Sequence, residues 1–171
     1  MKFPFKNSFL SWILKKRIHQ IDLFLKYPTA VQKEVLSVLL EKAKNTAFAV
    51  EHDFVSINSY DDFRKKVPVR TYEEIFPYIK KLRTGAENVL WPGKTKWFAK
   101  SSGTTNAKSK FIPFTEDALN DCHYKAGKDM LAIYCNNHPQ TTIFNGKGLM
   151  LGGSMENNSI ANYTDGDLSA L

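Results

Sequence analysis

Residues 100–110 read Lys100-Ser101-Ser102-Gly103-Thr104-Thr105-Asn106-Ala107-Lys108-Ser109-Lys110, set between two apolar runs, Trp97-Phe98-Ala99 and Phe111-Ile112-Pro113-Phe114. Hydroxyls, backbone N–H groups and an ammonium are the donors a polyphosphate needs, and a glycine lets the backbone come close to it. The stretch therefore reads as a grip on a nucleotide triphosphate. A Ser/Thr/Gly cluster between apolar runs is also the composition of an ordinary turn. The order Ser-Ser-Gly-Thr-Thr, with Lys110 five positions past Thr105, favours the phosphate reading. The pattern Gly-x-x-x-x-Gly-Lys-Ser/Thr does not fit, and Gly-x-Gly-x-x-Gly is absent, which disfavours a kinase-like or dinucleotide-binding chain.

Working outward, Lys96 to Ala99 reads as a strand before the loop and Lys110 to Phe114 as a strand after it. Trp91-Pro92-Gly93 is a turn. Upstream the pattern is helical. Ser8 to Lys26 carries Leu10, Ile13, Leu14, Ile21, Leu23, Phe24 and Leu25 and closes at Tyr27-Pro28. Thr29-Ala30-Val31-Gln32 reads as a capping box opening a second helix. Val31, Val35, Val38 and Leu39 fall on one face of that helix, which ends near Asn45. Ser59-Tyr60-Asp61-Asp62 and Thr71-Tyr72-Glu73-Glu74 read as further helix starts. The first of these stops before Val67-Pro68 and the second ends at Gly85. Downstream, Thr115 is expected to cap a helix reaching about Tyr134, with Glu116 and Asp117 in its first turn. Lys147 to Leu151 reads as a strand, Gly152-Gly153 as its turn, Asn157-Asn158 and Asp165-Gly166 as more turns, and Asp167 to Leu171 as a helix opening.

The chain has 171 residues, of which 43% are apolar and 13% aromatic. That is a globular composition, and one unit is the expectation. A net charge of +7 and a pI near 9.3 suit nucleic acid, a membrane surface or an anionic small molecule. The excess concentrates in the first third and between Lys94 and Lys110. No nucleic-acid signature accompanies it, and Lys100 and Lys108 read as surface charges. Cys122 and Cys135 match no disulfide framework and read as reduced packing thiols. His19, His52, His123 and His138 are dispersed, so no metal is assigned to the side chains. The apolar patch Phe9 to Leu14 lacks the form of a leader peptide, and no run approaches a membrane span. A soluble, cytoplasmic protein with neither nucleic acid nor membrane as partner is the expectation.

The loop resembles the phosphate loop of adenylate-forming enzymes, Ser/Thr-Ser/Thr-Gly-Thr-Thr-Gly-x-Pro-Lys. The likeness is wider than the loop. Gln20-Ile21-Asp22, Tyr27-Pro28, Gln32, Asn45-Thr46, Asp62-Phe63, Val67-Pro68-Val69, Tyr72-Glu73, Gly85 and Val89-Leu90-Trp91-Pro92-Gly93 occur in order. With Phe98-Ala99-Lys100 and the loop itself, they resemble the N-terminal part of the acyl-acid amido synthetases, the family named for auxin-responsive promoters in plants. A bacterial member is the expectation.

The resemblance implies an α/β fold, a helical N-terminal region (1–93) leading into part of an adenylate-forming-type mixed α/β domain (94–171) with the Ser/Thr-rich loop between strands. It implies an ATP- and magnesium-dependent (Mg2+) enzyme that converts a carboxylic acid to an acyl-adenylate and passes the acyl group to an amine or amino acid. Ser101, Ser102, Gly103, Thr104, Thr105 and Lys110 match the family's first nucleotide motif and are the implied nucleotide-binding residues. Ala107 stands where the family often has a second glycine. The family's other two motifs, Tyr-x-Ser-Ser/Thr-Glu and Tyr-Arg-x-Gly-Asp, are not found. The chain thus reads as an N-terminal piece or shortened homologue, expected to be inactive alone and to be poorly soluble or to associate with itself or with the rest of its parent. Met130, Tyr134 and Met150 are candidates for an acyl pocket, with core packing the favoured reading, and no catalytic acid or base is named. A non-catalytic nucleotide-binding or partner-interaction module is the alternative, and a basic nucleic-acid binder a weaker third.

Overall fold

Ser59 and Thr71 start their helices because each hydroxyl takes an orphan backbone N–H of the first turn. Ser59 accepts from Asp62 and Thr71 from Glu74, and the Glu74 carboxylate returns to the Thr71 N–H, completing a capping box. The computed structural model describes residues 6–101, 109–149, 151–159 and 162–167. In chain order its elements are α1 (Lys6–Lys26), α2 (Pro28–Ala43), α3 (Ala47–Glu51), a 3-10 turn (Phe54–Ser56), α4 (Tyr60–Lys66), α5 (Tyr72–Arg83), β1 (Trp97–Lys100), β2 (Phe111–Phe114), a π-helical stretch (Ala118–His123), α6 (Tyr124–Asn137), β3 (Met155–Asn158) and β4 (Tyr163–Gly166). The helical first half followed by a mixed sheet matches the expected class.

α5 ends as its sequence demands. Gly85 sits at φ 90°, its N–H donates to Leu82, and the Ala86 N–H reaches back to Lys81. That pair of bonds is a Schellman close, which needs the left-handed residue that glycine supplies.

The chain forms two units, one from Met1–Val31 with Glu116–Met150 and one from Gln32–Thr115 with Leu151–Leu171. In the first, α1 packs on α6. Leu10, Leu14, Ile18 and Ile21 form the half-buried stripe of α1, and Ala132 and Cys135 are buried on α6. Arg17 Nε and Nη2 donate to Asp129 Oδ1 and Oδ2 at 2.5 and 2.9 Å. The hydrogen bond from Arg17 holds the Asp129 carboxyl below its ordinary pKa. A depressed carboxylate contributes stability above its unfolded pKa, near 4, and loses it as pH falls through the folded value. The α1–α6 pair should therefore lose hydrogen-exchange protection below about pH 4, relative to an Asp129→Asn variant that is weaker at pH 7 and changes less on acidification. Equal acid sensitivity in both proteins would refute this.

In the second unit, among the described residues, four strands form one sheet in the order β2-β1-β4-β3. β1 runs antiparallel to β2 and parallel to β4, with Trp97 opposite Phe114 and Phe98 opposite Asp165. β3 and β4 form an antiparallel pair. The core joins α5 to this sheet through Ile79, Leu82, Val89, Phe98 and Tyr163, with Tyr72, Ile75 and Phe111 packed against it.

Several expectations need correcting. α2 opens at Pro28, whose missing N–H suits a first helical position, and Val31 donates to the Tyr27 carbonyl. Thr29 is thus inside the first turn rather than a cap. On α2 the buried residues are Leu40 and Ala43, while Val35, Val38 and Leu39 stay exposed. The helix carries two apolar stripes, and periodicity alone cannot choose between them. α3 follows the Asn45-Thr46 end at once, because the buried Thr46 hydroxyl accepts the Ala49 N–H.

The segment read as a strand at 147–151 forms none among its described residues, and Leu149 and Leu151 are highly exposed. Asn157-Asn158 and Asp165-Gly166, read as turns, lie in β3 and β4, where pairing with a neighbour overrides their turn preference. Gly152-Gly153 makes no turn; a side chain at Gly153 would strike Asp167, whose carboxylate accepts the Ser154 N–H. Cys122 is exposed rather than packed. Among the described residues, no helix is long and apolar enough to cross a membrane.

Candidate functional site

β1 and β2 are adjacent antiparallel strands, so the segment joining them leaves and re-enters the sheet at one end. Its neck is built by two of the implied nucleotide-binding residues. The Ser101 N–H donates to the Lys110 carbonyl at 2.9 Å, and the Lys110 N–H donates to the Ser101 hydroxyl oxygen at 3.2 Å. A hydroxyl that accepts one bond still has its proton to donate. Ser102, Gly103, Thr104 and Thr105 lie outside the described residues, as do Ala107 and Lys108.

Lys110 is exposed, and its ammonium stands 5.1 Å from the centroid of the Tyr72 ring. Tyr72 also reaches the backbone of the next residue. Its hydroxyl accepts the Phe111 N–H at 2.9 Å and donates to the Phe111 carbonyl at 3.4 Å.

Below the neck, a charged fork ties α5 to the sheet. Arg83 Nη1 and Nη2 donate to Asp165 Oδ1 and Oδ2 at 2.6 and 2.9 Å, a bidentate pair. The same guanidinium lies 4.0, 4.7 and 5.3 Å from the ring centroids of Phe111, Tyr163 and Phe98. Sequence reading missed this pair. Arg83 lies just before Gly85, where the sequence ends a helix, Asp165 reads as a turn residue, and a separation of 82 positions offers no periodic signal.

Of the acyl-pocket candidates, Met130 and Tyr134 are both exposed within this chain, and Met150 lies outside the described residues. Tyr134 lines an open concavity of about 420 Å³ with Asn137, His138 and Thr141. A second concavity, of about 330 Å³, lies beside the fork and is lined by Arg83, Glu156, Tyr163 and Asp165.

The model of the GH3 family N-terminal domain matches residues 17–166. The chain belongs to the GH3 family. Its similar relatives include an indole-3-acetic acid-amido synthetase, GH3.2, of Arabidopsis thaliana, 30% identical over 61% of this chain and 19% of that protein. A jasmonoyl–L-amino acid synthetase, JAR4, of Nicotiana attenuata is 27% identical over 60% of this chain and 18% of that protein. Among solved structures, the GH3.15 acyl acid amido synthetase superposes with a TM-score of 0.64 at 20% identity, covering 99% of this chain and 29% of that one. The GH3 chain thus spans about a fifth of the length of the curated relatives it matches.

Proposed function

We propose that the full-length protein carrying this GH3 chain is an acyl-acid amido synthetase, joining a carboxylic acid to an amine or amino acid at the expense of ATP. The observation that carries the reading is the neck of Ser101 and Lys110, which sets a Ser/Thr-Gly segment between two paired strands in a chain of this family. An indole-3-acetic acid-amido synthetase and a jasmonoyl–L-amino acid synthetase among the relatives support the substrate class.

In the first step a carboxylate oxygen attacks the α-phosphorus, the bond to the bridging oxygen breaks, and pyrophosphate departs. Its developing charge calls for fixed donors. The hydroxyls of Ser101, Ser102, Thr104 and Thr105 and the loop N–H groups are the assigned donors, Gly103 lets the backbone approach, and Lys110 adds a point charge. Magnesium would be supplied with the nucleotide and would offset charge on the departing pyrophosphate. In the second step the amine nitrogen attacks the acyl carbon, AMP leaves, and the amine gives up a proton. No general base is required in the first step, because the acid arrives ionised.

The test is acid-dependent exchange of labelled pyrophosphate into ATP by the full-length protein. Exchange with some member of a broad acid panel is expected, and Ser102→Ala or Thr104→Ala should each weaken use of ATP by about 1–3 kcal/mol, the worth of a charge-assisted hydrogen bond. A folded protein that exchanges with no acid would refute the ligase. ATP binding without exchange would favour a non-catalytic nucleotide-binding module, and unchanged turnover in both variants would make the loop a simple turn.

A further inference from the structure

Consecutive residues of a strand turn their backbone N–H and C=O groups to opposite edges. Lys110 turns its pair towards Ser101, so Phe111 turns its pair the other way. β2 is an edge strand of the described sheet, and an edge leaves backbone groups open. The Tyr72 hydroxyl closes this one, bonded to both groups of Phe111. The same ring stands under the Lys110 ammonium. One side chain therefore holds the strand at the loop's exit and the charge that leaves it.

We propose that Tyr72 is the positioning residue of the nucleotide loop, fixing where Lys110 is presented; this rests on the phosphate reading above. Tyr72 is itself anchored as the first residue of a capped helix, packed against the core. Its hydroxyl sets the backbone and its ring sets the ammonium, so the two contributions separate by substitution. Tyr72→Phe keeps the ring and loses both hydrogen bonds. Tyr72→Leu loses the ring as well.

The experiment measures pyrophosphate exchange against ATP concentration in the full-length protein, together with hydrogen exchange at the Phe111 amide. Tyr72→Phe should speed exchange of that amide and raise the KM for ATP about 3- to 10-fold, the net scale of losing one hydroxyl whose partners regain water, with a smaller change in kcat. Tyr72→Leu should raise it further. Adding Lys110→Ala to Tyr72→Leu should cost less than Lys110→Ala costs in the wild type, because the lysine is already misplaced. If Lys110→Ala weakens ATP use while Tyr72→Phe and Tyr72→Leu leave KM unchanged, the positioning role is overturned and the phosphate reading survives. If the wild type shows no dependence on ATP, the phosphate reading falls and takes the proposal with it.

Discussion

Phe98→Ala is expected to remove about 3–5 kcal/mol from the stability of the sheet unit, the usual cost of emptying a buried phenylalanine site. Phe98 is fully buried in β1, and its ring meets the edge of Tyr163 with centroids 5.2 Å apart. Ile79 and Leu82 of α5 belong to the same cluster, so the cavity would open between helix and sheet. Neither β1 nor β4 can shift to fill it, since the two are hydrogen-bonded neighbours in a parallel pair. Hydrogen-exchange protection of the β1 amides reads the opening free energy of this sheet within the whole protein. A loss below about 1 kcal/mol would mean that the site collapses freely and that Phe98 is not its keystone. Phe98→Leu, which keeps most of the volume, should lose far less.

Breaking the Arg83–Asp165 fork should cost nearly as much. Removing one member of a buried ion pair strands the other, typically at about 3–5 kcal/mol. With side-chain exposures of 22% and 17%, the pair retains some water, and about 2–4 kcal/mol is the expected cost of either Arg83→Ala or Asp165→Asn. Arg83→Ala also strips three aromatic rings of their cation. Arg83→Lys keeps the charge but has neither the fork nor the flat face, and should recover less than half of the loss. The double variant should be less destabilised than the sum of the singles, with a coupling above about 1 kcal/mol by the same exchange measurement. Additive effects would reduce the fork to a surface contact.

Local chemistry made much of this protein legible from sequence. Ser59, Thr71 and Gly85 announced helix ends because caps are contacts between residues three to five positions apart, and such contacts need no partner element. The strands flanking the loop were visible because short apolar runs bounded by turn residues have few alternatives. The loop's chemistry was visible because hydroxyls, a glycine and a lysine in that order carry their donors with them. An ordered set of matches along the chain pointed to the family to which it belongs.

Contacts between distant segments were not legible. Asn157-Asn158 and Asp165-Gly166 carry turn residues yet form β3 and β4, because Thr164 and Asp165 find partners on β1 and on β3. Leu149 and Leu151 have strand character and no such partner among the described residues. On α2, two apolar stripes were equally periodic, and packing alone chose Leu40 and Ala43. Tyr72 closing the edge at Phe111, and Arg83 forking onto Asp165, join residues 39 and 82 positions apart. By itself the sequence determined the caps, the class of fold and the composition of the loop, all of which depend on neighbours along the chain. Only the tertiary structure decided which strands pair, which helix face is buried and what holds the neck of the loop, because those depend on which surfaces meet, and a polar side chain commits to a partner only once that partner is within reach.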